Sequence, residues 1–236
     1  MGYKWHPSYG LYYKGRTHMT WYAIFDFDGV IVQSEKQHQD AWFQVAKKRG
    51  LPITREAFLT GFGVKNQYFI AEILGWTKDP EEIAHIIAEK EAIFQKMAES
   101  GQVTLIPGVE KWLKELAKAH IPCAVGSSSI RKNIDLVLAH TTIQGYFSVI
   151  VSGEMVTHGK PDPEVFLKCA EALKMVPAQC TVYEDAPAGI MAAKRAGMKA
   201  VALTTTFERA VFEKMGKERP DRIITDFTEE RLNAKA

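Results

Sequence analysis

Short apolar runs that stop abruptly at polar or charged residues restrict the fold of this chain more than any other feature. Tyr22-Ala23-Ile24-Phe25 ends at Asp26-Phe27-Asp28-Gly29, and Ile121-Pro122-Cys123-Ala124-Val125 gives way to Gly126-Ser127. Thr181-Val182-Tyr183 runs into Glu184-Asp185, and Phe147 to Val151 leads through a loop to Lys160-Pro161-Asp162. Unbroken apolar runs this short are expected of strands buried on both faces, as in parallel sheets.

The segments between these runs carry helical patterns. After Pro107-Gly108 the chain predicts helices over about Val109 to Ala119, Ile130 to Leu138, Pro163 to Leu173 and Ala188 to Ala196, the last stopped by Gly197. Ala200 to Leu203 and Arg222 to Ile224 supply further strand candidates. Strands alternating with helices imply right-handed crossovers and an α/β, doubly wound parallel sheet. Between the first strand and this alternation the texture changes. Helical patterns over Gln37 to Lys48, Arg55 to Leu59, Asn66 to Leu74 and Glu81 to Met97 are punctuated by Pro52, Gly61, Gly63, Gly75 and Pro80, with no strand among them. Residues 35–103 are therefore expected to form an inserted helical domain, with 21–34 and 104–236 making the sheet core.

Composition excludes several classes. Lys plus Arg number 30 against 28 Asp plus Glu among 236 residues, so no basic excess points to nucleic acid. No apolar run approaches the roughly 18 residues of a membrane span. Three cysteines without CxxC spacing, Cys123, Cys169 and Cys180, read as buried thiols of a reducing, cytoplasmic compartment. Residues 1–20 hold Tyr3, Trp5, Tyr9, Tyr12 and Tyr13, no acid, and no continuous apolar core of about 7–15 residues, so a secretory signal is not expected. Met19 is a candidate start, and this stretch is set aside as an N-terminal extension. Gly61-Phe62-Gly63-Val64-Lys65-Asn66 lacks both the third glycine and the preceding strand of a dinucleotide fingerprint.

In open parallel sheets ligands bind beyond the carboxyl ends of the strands. Acids placed there are costly to desolvate unless a cation compensates them. Asp26, Asp28, Glu184 and Asp185 form an oxygen-rich set suited to a hard cation such as Mg²⁺. Lys160 and the Ser127 hydroxyl suit a phosphate. Each also has a plain structural reading: the acids as turn or capping residues, Ser127 as a helix cap, Lys160 as a loop lysine.

Taken in order, these residues resemble the motifs of the haloacid dehalogenase superfamily, in its beta-phosphoglucomutase-like and phosphatase branch with a helical (C1-type) cap. Asp26-Phe27-Asp28-Gly29-Val30 matches the first motif, Ser127 the second, Lys160-Pro161-Asp162-Pro163 the third and Glu184-Asp185-Ala186-Pro187 the fourth. The resemblance runs from about Tyr22 to the C-terminal region and implies a Rossmann-like core. It implies that Asp26 is a nucleophile forming an aspartyl-phosphate and that Asp28 acts as general acid and base. Asp26, the Asp28 backbone carbonyl and Asp185 would surround Mg²⁺, with Glu184 reaching it directly or through water. Ser127 and Lys160 would hold the phosphoryl group. Asp28 beside Glu184-Asp185 argues against the metal-free dehalogenases of the superfamily.

The resemblance extends to the cap. His38 lies ten residues after Asp28, where mutase-like relatives carry a cap-side histidine. Those mutases bind a distal phosphate with an arginine in a GVxR segment; here Gly63-Val64-Lys65 is followed by Asn66, an amide better matched to a hydroxyl than to a second dianion. Lys90 approximately matches a second phosphate-binding cap lysine, and Lys65 is a further substitute for the missing charge. These residues favour a Mg²⁺-dependent phosphatase of a small phosphorylated metabolite, a sugar or polyol phosphate first. The alternatives are a sugar phosphomutase and, more remotely, a non-catalytic binding protein on the same fold. The expected partner is a small phosphate ester rather than nucleic acid or membrane, and the expected assembly a monomer or weak homodimer.

Overall fold

The computed structural model describes residues 21–232, so the N-terminal extension lies outside the described residues. A six-stranded, wholly parallel sheet forms the centre. Its strands are β1 (Tyr22–Phe25), β4 (Cys123–Gly126), β5 (Phe147–Val151), β6 (Cys180–Glu184), β7 (Lys199–Leu203) and β8 (Arg222–Ile224), in the order β5-β4-β1-β6-β7-β8. The two short strands absent from that order, β2 (Val32–Gln33) and β3 (Thr104–Leu105), form a separate antiparallel pair.

Period-two alternation divides each central strand between two cores. Ala23, Phe25, Cys123 and Val125 face one side, packed by α5 (Val109–Lys118) and α6 (Arg131–Ala139). Ile24, Ala124 and Val182 face the other, covered by α7 (Glu164–Ala172) and α8 (Pro187–Arg195). This is the doubly wound architecture, with helices on both faces. The sheet begins at β1 and grows through β4 and β5 to one side, then returns to lay β6 on the other. That switch opens a crevice beyond the carboxyl ends of β1 and β6.

Between β2 and β3 the chain is helical: α1 (Glu35–Arg49), α2 (Arg55–Thr60), α3 (Asn66–Tyr68) and α4 (Pro80–Glu99). These helices bury an apolar cluster of their own, with Trp42, Phe58, Phe69 and Ile86 at its centre, and Ala186 of the sheet core closes its floor. Three details depart from the sequence-based expectation. The single helix anticipated from Asn66 to Leu74 is α3 followed by a wider π-helical stretch, Phe69–Ile73, in which adjacent Phe69 and Ile70 both turn inward. Strand β4 starts at Cys123 rather than Ile121, because Pro122 has no N–H to give to the ladder. The five-residue α9 (Arg209–Glu213) was not indicated by any pattern. No helix among the described residues is long and apolar enough to cross a membrane.

Candidate active site

The crevice at the switch point holds a cluster of carboxylates. Asp26 is the first residue past β1, Glu184 ends β6 and Asp185 follows it; one oxygen from each lies within 4.8 Å of the others, and all three residues are buried. Lys160 is the cation among them. Its Nζ donates to Asp26 Oδ1 at 2.7 Å and to Glu184 Oε1 at 2.6 Å. The other Glu184 oxygen accepts the backbone N–H groups of Asp185 and Ala186 at 2.8 and 2.7 Å, where α8 begins.

Two glycines make room for this packing. Gly29 has φ +74°, and a Cβ there would lie 1.8 Å from Asp185 Oδ2. A Cβ on Gly189 would lie 1.8 Å from Glu184 Oε1.

Three carboxylates around one ammonium leave the cluster negative. Burial pushes the Asp26 carboxyl above its usual range, and Glu184 and Asp28 add to the rise against the pull of Lys160. Asp185 is raised well above its ordinary value by burial, then by Glu184 and Asp26. Burial would by itself depress Lys160, but Asp26 and Glu184 hold it above its ordinary value. Asp185 Oδ2 accepts from the Thr206 hydroxyl, whereas Oδ1 is buried with no hydrogen-bond partner among the described residues. An unpartnered buried carboxylate oxygen beside excess negative charge calls for a cation. An all-oxygen donor set fits a hard one such as Mg²⁺.

The Asp28 carboxylate turns away from that cluster. Its Oδ1 accepts from Ser34 Oγ at 2.6 Å and from His38 Nε2 at 2.9 Å, and its Oδ2 accepts from Ser129 Oγ. Burial opposes ionisation, but the proximity of His38 and these hydrogen bonds outweigh it and hold the carboxyl well below the usual carboxylate range. Behind His38 stands Lys90, almost wholly buried, whose Nζ donates to His38 Nδ1 at 2.9 Å and to Glu91 Oε1 at 3.0 Å. An ammonium only donates, so Nδ1 carries the lone pair and Nε2 the proton that Asp28 accepts. The imidazole is stacked on Phe94, with ring centroids 4.1 Å apart.

Asp26, Asp28 and Ser127 from the sheet core line one small cavity together with His38, Asn66 and Lys90 from the helical insertion. Ser127, directly beyond β4, also caps its own turn by accepting the Ser129 N–H at 3.1 Å. Lys65 is not brought in; its Nζ donates instead to the Val156 carbonyl at 2.8 Å, tying the insertion to a core loop. Sequence reasoning missed Ser34, Ser129, Glu91 and Asn133. Ser129 stands two residues after Ser127, and Glu91 directly follows Lys90. Asn133, inside an ordinary helical pattern on α6, gave no signal.

The haloacid dehalogenase-like hydrolase family model matches residues 23–203. A fructose-1-phosphate phosphatase of Escherichia coli is 34% identical over 182 residues, covering 75% of this chain and 93% of its own length. The chloroplastic 5-amino-6-(5-phospho-D-ribitylamino)uracil phosphatase of Arabidopsis thaliana is 32% identical over 78% of this chain, which spans only 49% of that longer protein. The crystal structure of beta-phosphoglucomutase from Clostridium difficile superposes with a TM-score of 0.79 at 27% identity, covering 91% of this chain and 94% of that one. The chain belongs to the haloacid dehalogenase-like hydrolases, in the branch that holds these phosphatases and beta-phosphoglucomutase.

Proposed function

We propose that this protein is a Mg²⁺-dependent phosphatase that hydrolyses a small phosphorylated metabolite, a sugar or polyol phosphate, through an aspartyl-phosphate on Asp26. The observation that carries the reading is the separation of the two aspartates. Asp26 sits in the electron-rich cluster with Lys160, while Asp28, two residues on, is gripped by hydrogen-bond donors on the opposite side.

In this reading the bound anionic ester raises the proton affinity of Asp28, which takes up a proton. An Asp26 oxygen attacks phosphorus, the bond to the ester oxygen breaks, and that oxygen leaves with the Asp28 proton. Asp28 then takes a proton from water as that water attacks the acyl phosphate, which restores Asp26. Lys160 and Ser127 hold the phosphoryl oxygens, and His38 fixes the direction in which the Asp28 carboxyl points. Asp26, Asp185, the Asp28 backbone carbonyl and Glu184 would hold Mg²⁺, which supplies charge compensation between an anionic nucleophile and an anionic ester. The helices of residues 35–103 serve as a cap that excludes water during the first step. The free, buried thiols support a reducing, cytoplasmic setting.

Phosphate release from a panel of small phosphate esters with Mg²⁺ tests the reading. Steady release, lost in Asp26→Asn, is expected. A phosphomutase is the second reading because beta-phosphoglucomutase shares this fold at 27% identity. It requires a sugar 1-phosphate to become the 6-phosphate with little free phosphate.

A further inference from the structure

The part of the cavity wall that comes from the insertion contains a carboxylate, Glu91, and the donors around it are spent on that group. Asn66 Nδ2 donates to Glu91 Oε1 at 2.8 Å, Lys90 Nζ donates to the same oxygen at 3.0 Å, and Asn133 Nδ2 donates to Oε2 at 2.6 Å. The Asn133 amide is fixed in that sense because its oxygen accepts from Gln95 Nε2 at 2.9 Å. Lys90 spends two of its three N–H groups on His38 and Glu91. Beyond His38 and Glu91 it meets the faces of Trp42 and Phe94, at 5.7 and 5.3 Å from their centroids. Burial raises the Glu91 carboxyl, but Lys90, His38 and the Asn133 amide more than offset it and keep the group ionised.

Building on the phosphatase reading of the same cavity, we propose that Glu91 is a specificity-determining residue, a built-in anion that admits esters with one phosphate and a neutral, hydroxyl-bearing body and turns away substrates carrying a second anion. A hydroxyl donates to a carboxylate, whereas a second phosphate or carboxylate in a site shielded from water meets like charge. Lys90, the cation that would otherwise welcome such a group, already donates to Glu91 and His38.

The test uses two esters of nearly equal size, sorbitol 6-phosphate and 6-phosphogluconate, which differ at the far end as hydroxymethyl against carboxylate. Calorimetric titration of the Asp26→Asn protein with Mg²⁺ should show the polyol phosphate binding at least ~10-fold more tightly. Adding Glu91→Gln, which keeps the shape and the oxygen facing Asn66 and Lys90 but removes the charge and the bond from Asn133, should bring the two affinities within ~3-fold of each other. Equal affinities before that change, or an unaltered ratio after it in a folded protein, would overturn the proposal. Should Glu91→Gln fail to fold, the pair of affinities in the Glu91 protein still decides, because the esters differ in charge and scarcely in size. Absence of binding by either ester overturns it as well. Phosphate release by the wild type is read separately. Discrimination without release sinks the phosphatase reading alone, and release without discrimination sinks the role of Glu91 alone.

Discussion

Two buried charge clusters flank the Asp26-Phe27-Asp28 turn, and they are balanced in opposite ways. The first gathers Asp26, Glu184 and Asp185 around Lys160 and ends with surplus negative charge and an oxygen of Asp185 without a partner among the described residues. The second alternates acid and base through Asp28, His38, Lys90 and Glu91, and gives each carboxylate three donors. A group left electrostatically short is ready to take a ligand, while one whose hydrogen bonds are matched internally holds its members in fixed directions. On the proposed reading, the contrast gives the first cluster the nucleophile and its cation, and gives the second the orientation of Asp28, the proton carrier.

The largest effect should come from the first cluster. Asp26→Asn is expected to cut phosphate release by ~10³-fold or more while the melting temperature changes little, whereas His38→Gln should cost only about 10- to 100-fold in kcat. Comparable losses in both would erase the distinction. Lys160→Met strands three buried acids and should destabilise the protein by about 3–5 kcal/mol in denaturant titrations without metal. Added Mg²⁺ should recover part of that loss by binding the folded state. In the second cluster, Asn133→Ala leaves Glu91 one donor short and should cost about 1–3 kcal/mol, with no recovery from Mg²⁺. Recovery there would mean that the clusters are coupled.

Gly189→Ala forces the Glu184 carboxylate aside and should cost about 1–3 kcal/mol, with a smaller Mg²⁺-induced rise in melting temperature than the wild type shows. The smallest effect concerns the thiols, which serve as a baseline for burial without charge. Burial pushes Cys123 up to about 12 and Cys180 up to about 11. Alkylation of the native protein at pH 8 should therefore be slow at every cysteine and become rapid only in denaturant. A fast-reacting thiol would show that the sheet core opens independently of either cluster.

The same contrast explains what could be read from the sequence. Asp26, Ser127 and Glu184-Asp185 stand at or next to strand ends, where a short unbroken apolar run and its abrupt end mark them. The doubly wound sheet was legible for the same reason. The second cluster is assembled from helices, with His38 on α1, Lys90 and Glu91 on α4 and Asn133 on α6, and a helical face tolerates any of these residues on its solvent side. Only the fold shows that these side chains point inward. Lys65 illustrates the converse: adjacent to Asn66 in sequence, it leaves the cavity because the turn into α3 sends neighbouring side chains apart. The β2–β3 pair escaped notice because two residues per strand carry too little pattern to register.

That small pair has a consequence of its own. Val32 pairs with Leu105 and Gln33 with Thr104, so the chain leaves the sheet core and re-enters it at neighbouring points. Seen from the core, the whole helical segment is a closed excursion whose two ends are already joined. Its length and composition can change over generations without altering the register of β1 against β4 or β6. On the proposed reading, the groups that react and the helices that cover them can thus change at separate rates. Grafting the segment between Gln33 and Thr104 from a relative onto this core is accordingly the natural route to a new specificity on an unchanged chemistry.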